Sequence, residues 1–139
     1  MSVTEEETFG FRIEPGSGVP VYLQFVQQVR QAVLLGYLRA GDRLPAVKDA
    51  AAEAVVNPNT VVKAYRQLEL EGLVTPKPGS GTYVNAGAAT PVAARDLAAA
   101  RRALQRFFAA ADQAGLDEHA VVAMFEIERR ARGGREAVA

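Results

Sequence analysis

Asn59, Thr60, Lys63 and Gln67 recur at helical spacing and offer amide, hydroxyl and ammonium groups on one side of the chain, a set that suits phosphates and base edges. On the other side Val61, Ala64, Tyr65 and Leu68 make an apolar face. The stretch that holds both, NPNTVVKAYRQLELEG from Asn57 to Gly72, carries its own start and stop. Asn57 can cap a helix, Pro58 fits the first turn, and Gly72 suits the residue just past the end. Taken alone, the same pattern also describes an ordinary amphipathic helix with a solvated polar face. Catalytic chemistry has little support. Asp117 and Glu118 are adjacent and so diverge on a helix, and no serine, histidine and acid set is suggested by spacing. His119, the only histidine, reads as a solvated residue at a helix start, so neither a metal nor a cofactor is expected.

With 139 residues, 49% of them apolar, the chain can bury one modest core and a small helical appendage. Having no cysteine, it has no disulfides or thiolate zinc sites, which is compatible with a reducing cytosol. No apolar run approaches the ~20 residues that span a bilayer, and MSVTEEETFG is acidic where a signal peptide would be basic. A soluble, cytoplasmic protein with no membrane partner is expected. Sixteen Lys and Arg balance 16 Asp and Glu, which argues mildly against nucleic acid, because such binding relies on cations neutralising phosphates. Any positive surface must therefore come from placement.

The elements that would position the polar face can be read in order. Phe9, Phe11 and Ile13 alternate with Gly10 and Arg12, which predicts a short strand before the breaker Pro15-Gly16-Ser17-Gly18. From about Pro20 to Leu35, Leu23, Val26, Val29 and Val33 recur at helical spacing, with Gln24, Gln27, Gln28, Arg30 and Gln31 largely on the outer side. Gly36 ends this helix, GYLRAGDRLP connects, and VKDAAAEAVV forms a second, compact one. Arg39 and Arg43 lie in the connection, where solvated charges are the default, and stay outside the site. After the third helix, Leu73-Val74-Thr75 and Thr82-Tyr83-Val84 flank PKPGSG and predict a hairpin. Three helices and a hairpin spell a winged helix-turn-helix, mostly α with a small β wing. NAGAATPVAA then reads as a linker to two further helices, the first stopped by Gly115, the second capped by Asp117 and fraying at Gly133-Gly134.

Four blocks, VPVYLQ at 19–24, GDRLP at 41–45, VNPNTVVKAYRQLELEGLV at 56–74 and GSGTYV at 79–84, resemble in order and spacing the GntR family of bacterial transcription regulators. The short tail resembles the family's YtrA-like subfamily. The resemblance implies a winged-helix homodimer on a near-palindromic double-stranded DNA operator, with a two-helix C-terminal segment for dimerisation and a frequent link to transporter genes. It implies DNA contacts by Lys48, where the pattern usually has arginine, by Asn57, Asn59, Thr60 and Lys63, and by a wing tip of Gly79, Ser80 and Gly81 with Lys77 beside it. For Asn57, capping and base reading compete for the same carbonyl. The sequence departs from the pattern at Ala46, in place of a capping serine, at Ala50 and Ala54, in place of larger apolar residues, and at Val55, where glycine is common.

The expected division is a DNA-binding domain over 1–86 and a helical dimerisation segment over 87–139. Leu97, Leu104, Phe107, Phe108, Val121, Met124 and Phe125 make a tail too apolar to stand exposed, and a second copy is its expected cover. The function expected is that of a sequence-specific repressor; a small-molecule effector stays open. A winged-helix protein-interaction module without DNA binding is the alternative, motivated by the neutral charge, Lys48 and Ala46.

Overall fold

The structure, a computed structural model, describes residues 9–88 and 92–138. The acidic run at 1–8 and part of the expected linker, 89–91, lie outside the described residues. The order is α1 (Val21–Leu34), α2 (Val47–Ala54), α3 (Pro58–Leu70), β1 (Val74–Lys77), β2 (Gly81–Val84), α4 (Ala94–Gln113) and α5 (Glu118–Val138). This is a mostly helical winged helix-turn-helix followed by two helices. The chain divides into two compact units, Met1–Ala93 and Ala94–Ala139. No helix among the described residues is long and apolar enough to cross a membrane.

In the first unit α3 is the central element, packed by α1, by α2 and by the start of the hairpin. Val61, Ala64, Tyr65 and Leu68 are buried, as their spacing requires, against Phe25, Val26 and Val29 of α1 and Ala50 and Ala51 of α2. Leu44, Val74 and Val84 close the core from the wing side. Side chains the size of Phe25 and Leu68, both fully buried, each contribute on the order of 2 kcal/mol. Ala50, which stands in place of a larger apolar residue, is itself in the core, with Ala54 partly buried against it, so the departure there is one of size rather than position.

Residues 9–14 do not form the expected strand. Their alternation is real, with Phe9, Phe11 and Ile13 packed on the core, and Phe11 stacks edge-on against Phe25 with centroids 4.5 Å apart. Among the described residues no strand lies beside this segment. Two glutamine amides of α1 take the place of one. Gln28 accepts from the N–H of Arg12 at 2.9 Å and donates to its carbonyl at 2.6 Å; Gln24 does the same for Glu14 at 2.8 and 2.9 Å. Gln24 also donates to Ser17 Oγ and the Val19 carbonyl, which explains why it is buried rather than on the outer side.

The second unit departs from expectation only near its end. Gly115, with φ 74°, ends α4, and Asp117 Oδ1 accepts from the N–H of Ala120 at 2.9 Å to cap α5. Helix α5 then passes through Gly133 and Gly134 to Val138 instead of fraying there. Glycine costs a helix about 1 kcal/mol each, an amount a continuous hydrogen-bonded ladder can absorb.

Candidate nucleic-acid interface

The N-terminus of α3 is fixed by its cap. Asn57 Oδ1 accepts from the N–H of Asn59 at 2.8 Å and Pro58 occupies the first turn. The cap thus holds the Asn57 carbonyl and leaves its amide nitrogen as the group for an outside partner. Beyond it Asn59 and Lys63 are exposed and Thr60 is half-buried. Lys63 Nζ lies 3.9 Å from the centroid of the Tyr22 ring on α1, a cation–π contact that aims the ammonium without burying it. Val62 and Arg66 are exposed and follow Asn59 and Lys63 along the same side. Gln67 does not belong with them, because its amide donates to Glu71 at 2.9 Å.

Three contacts fix the direction of α3. Tyr65 donates its hydroxyl to the Pro45 carbonyl at 2.6 Å, tying the helix to the segment that enters α2; burial pushes the phenol well above its ordinary range, so it remains a neutral donor. At the other end Arg30 of α1 grips Glu71 through two parallel bonds of 2.8 and 2.7 Å. Hydrogen bonding to Arg30 holds the Glu71 carboxyl below the usual carboxylate range, and the same bond raises the guanidinium. Past the helix end, Gly72 at φ 79° lets the Leu73 N–H reach back to the Leu68 carbonyl at 3.0 Å.

Lys48 stands exposed in the first turn of α2, whose N-cap, Ala46, makes no side-chain cap bond. The fold brings Lys48 to the same open depression as Asn57 and Pro58, floored by Ala51, Ala52, Val55 and Val56. Two expected contact positions from different helices therefore share one surface.

In the wing β1 and β2 pair antiparallel with Thr75 opposite Tyr83 and Lys77 opposite Gly81. The Ser80 N–H donates to the Lys77 carbonyl at 2.9 Å, and Gly79 has φ 77° after Pro78, the signature of a tight turn with glycine third. The tip is thus Pro78, Gly79 and Ser80, while Gly81 lies within the strand. Ser80 Oγ meets the Tyr83 hydroxyl at 2.5 Å and Lys77 Nζ sits 4.8 Å from the Tyr83 ring centroid. With its N–H closing the turn, Ser80 can reach outward only through its hydroxyl.

Residues 21–84, from the start of α1 to the end of β2, match the family described as bacterial regulatory proteins, gntR family. Over 126 residues the chain is 34% identical to the HTH-type transcriptional repressor YtrA of Bacillus subtilis (strain 168), an alignment covering 90% of this chain and 97% of that one. The chain belongs to the gntR family. Among solved structures, YtrA from Sulfolobus acidocaldarius, a GntR-family transcription factor, superposes with a TM-score of 0.52 and 28% identity over 71% of this chain and 97% of its own. A transcriptional antiterminator from Listeria monocytogenes EGD-e does so at 0.56 and 26%, over 88% and 91%. This GntR-family chain is therefore a transcriptional regulator of the YtrA type with a winged helix-turn-helix.

The sequence reading gave Tyr22, Arg66 and Tyr83 no part in this GntR-type site and set Arg43 aside, while the structure brings all four beside residues expected to contact DNA. Arg66 was legible, three residues past Lys63 on the exposed side of the helix. Tyr22 was not, since only the α1–α3 packing brings its ring under Lys63. Arg43 and Tyr83 meet through an isolated antiparallel bridge between the α1–α2 connection and the wing, a pairing that no local pattern announces. Among the described residues no group of three or more His, Cys, Asp and Glu could hold a metal, and His119 is exposed.

Proposed function

We propose that this gntR-family chain is a homodimeric repressor that binds an inverted-repeat operator in cytoplasmic DNA, reading bases with the start of α3 and gripping the backbone with Lys48 and the wing. The observation that carries the reading is the division of α3: one face is committed to the core by Val61, Ala64, Tyr65 and Leu68, while Asn59, Lys63 and Arg66 are exposed at the end that a cap and a cation–π contact hold in place. An amide suits an adenine edge, and Lys and Arg suit guanine or phosphate. The positive end of the helix adds to anion attraction there.

Dimerisation falls to the tail over 87–139. Leu104, Phe108, Met124 and Phe125 are exposed in the single chain, and Leu97, Phe107 and Val121 only half-buried, so the apolar surface calls for a second copy. Two-fold pairing of heads then requires two-fold symmetry in the DNA. An effector that altered the tail's packing would change head spacing and hence affinity.

The neutral net charge favours a second reading, a winged-helix protein-interaction module. Titration of the full chain against its own promoter and a scrambled duplex of equal length, at two salt concentrations, separates the two. The repressor reading expects preference for the promoter, a steep fall of affinity with salt, and loss of the preference in the Asn59→Ala/Lys63→Ala variant, by roughly 2–4 kcal/mol for two base contacts. Weak, salt-insensitive binding to both duplexes would establish the interaction module instead.

A further inference from the structure

The connection before α2 runs antiparallel beside β2 and extends the two-stranded sheet of the wing by an isolated bridge. The Gly41 N–H donates to the Val84 carbonyl at 2.9 Å, the Val84 N–H to the Asp42 carbonyl at 2.8 Å, and the Leu44 N–H to the Thr82 carbonyl at 2.8 Å, with Arg43 paired antiparallel to Tyr83. Side chains alternate across such a sheet. Leu44, Val74 and Val84 therefore share the face that closes the core, all three buried. The opposite face carries Arg43, Tyr83 and Thr75 in one row and Gly81 and Lys77 in the next.

On that outer face the Arg43 side chain crosses Gly81. A Cβ placed on Gly81 would stand 2.5 Å from Arg43 Nε and 3.2 Å from its Cδ, so the guanidinium stem occupies the space that any other residue would fill. Arg43 is exposed and makes no ion pair among the described residues. Lys77, over the Tyr83 ring, supplies a second cation beside it. The row holds no carboxylate: Asp42 lies on the opposite alternation and accepts from the Arg39 N–H at 2.8 Å.

We propose that Arg43, laid across the glycine at position 81, is a DNA phosphate contact on the outer face of the wing, acting with Lys77 to clamp the strand that α3 does not face. A hairpin that enters a groove presents one face to each backbone. The inner face of this wing, with Pro76 and Thr82, lines a cleft shared with Val62 and Arg66 of α3, which leaves the outer face for the other strand. Such a contact raises affinity for every sequence and specifies none. The assignment rests on the DNA-binding reading and adds to it a residue outside the recognition helix.

The experiment measures operator binding by the full chain across a salt series for wild type, Arg43→Gln, Arg43→Lys and Gly81→Ala. Arg43→Gln keeps most of the stem and removes the charge. It is expected to bind operator and scrambled duplex alike roughly tenfold more weakly and to lower the log–log salt slope by about 1 for each subunit. Arg43→Lys restores the slope. Gly81→Ala displaces the side chain and weakens binding similarly, and adding it to Arg43→Gln costs nothing further; a fully additive loss would mean that it merely strains the wing at φ 148° and would overturn the role given to Gly81. An unchanged slope in Arg43→Gln, with wild type still preferring its operator, overturns the phosphate contact alone. Absence of any salt-dependent binding by wild type overturns the DNA-binding reading itself.

Discussion

Val55 holds φ 56° and ψ 53° just past α2, in the place where α3 and α4 each end on a glycine. Its N–H bonds to the Ala52 carbonyl and that of Val56 reaches back to Ala51 at 3.0 Å, the same closure made around Gly72 and Gly115. Among the described residues it is the one non-glycine with positive φ, and at 88% exposure its side chain gains almost nothing from burial. A β-branched residue there is strained by 1–2 kcal/mol in order of magnitude, partly offset by the greater entropy glycine would bring to the unfolded chain. Val55→Gly is therefore expected to stabilise the protein by about 1 kcal/mol in urea denaturation with an unchanged slope; a loss of stability would mean the turn is not strained. Position 55 was legible because the sequence reading already placed a glycine-preferring turn there. The cap at Asn57 was equally legible, since it depends only on neighbours in the chain. Gln24 was not: a polar residue on an apolar helix reads as outward-facing until the segment at 14–19 folds over it and supplies four hydrogen bonds.

At the scale of elements, the Arg30–Glu71 clamp joins α1 to the end of α3 and so helps set the angle at which α3 leaves the core. Because the folded Glu71 carboxyl titrates below its ordinary value, its contribution is complete above the ordinary carboxylate range and is lost as pH falls through the folded value. Arg30 retains 43% side-chain exposure, so solvent screening limits the clamp to about 0.5–1 kcal/mol. Glu71→Gln should lose that much at pH 7, and the gap from wild type should close in strong acid when both are denatured chemically. A gap that stays constant from neutral to acid would show that the clamp is not ionic. Helices and hairpin were legible because period and punctuation agreed over each of them. The strand expected at 9–13 failed for a physical reason: alternation reports which side of an extended segment is buried, not whether another strand lies beside it. Gly133 and Gly134 misled in the opposite sense, since propensity alone does not end a helix.

At the scale of the molecule, each unit taken by itself differs from the other: the winged unit has a filled core, while the described apolar side chains of the tail are largely exposed or half-buried. Ala111 is the one buried residue among those of the tail whose side chains are described. Leu104→Glu with Phe125→Glu should yield a monomer in sedimentation velocity, retain the winged unit's unfolding transition, and bind operator at least roughly a hundredfold more weakly, because two linked heads bind far more tightly than one. A dimer that survives both charges would place the interface elsewhere. The central claim, a two-fold regulator that puts α3 in successive major grooves, is tested most directly by footprinting the full chain at base resolution on the DNA upstream of its own gene. The account predicts two symmetric protected half-sites, their centres about 10 base pairs apart or a multiple of that, both lost in Asn59→Ala/Lys63→Ala. Protection of one unrepeated site, or none at protein concentrations that saturate the duplex in titration, would contradict it.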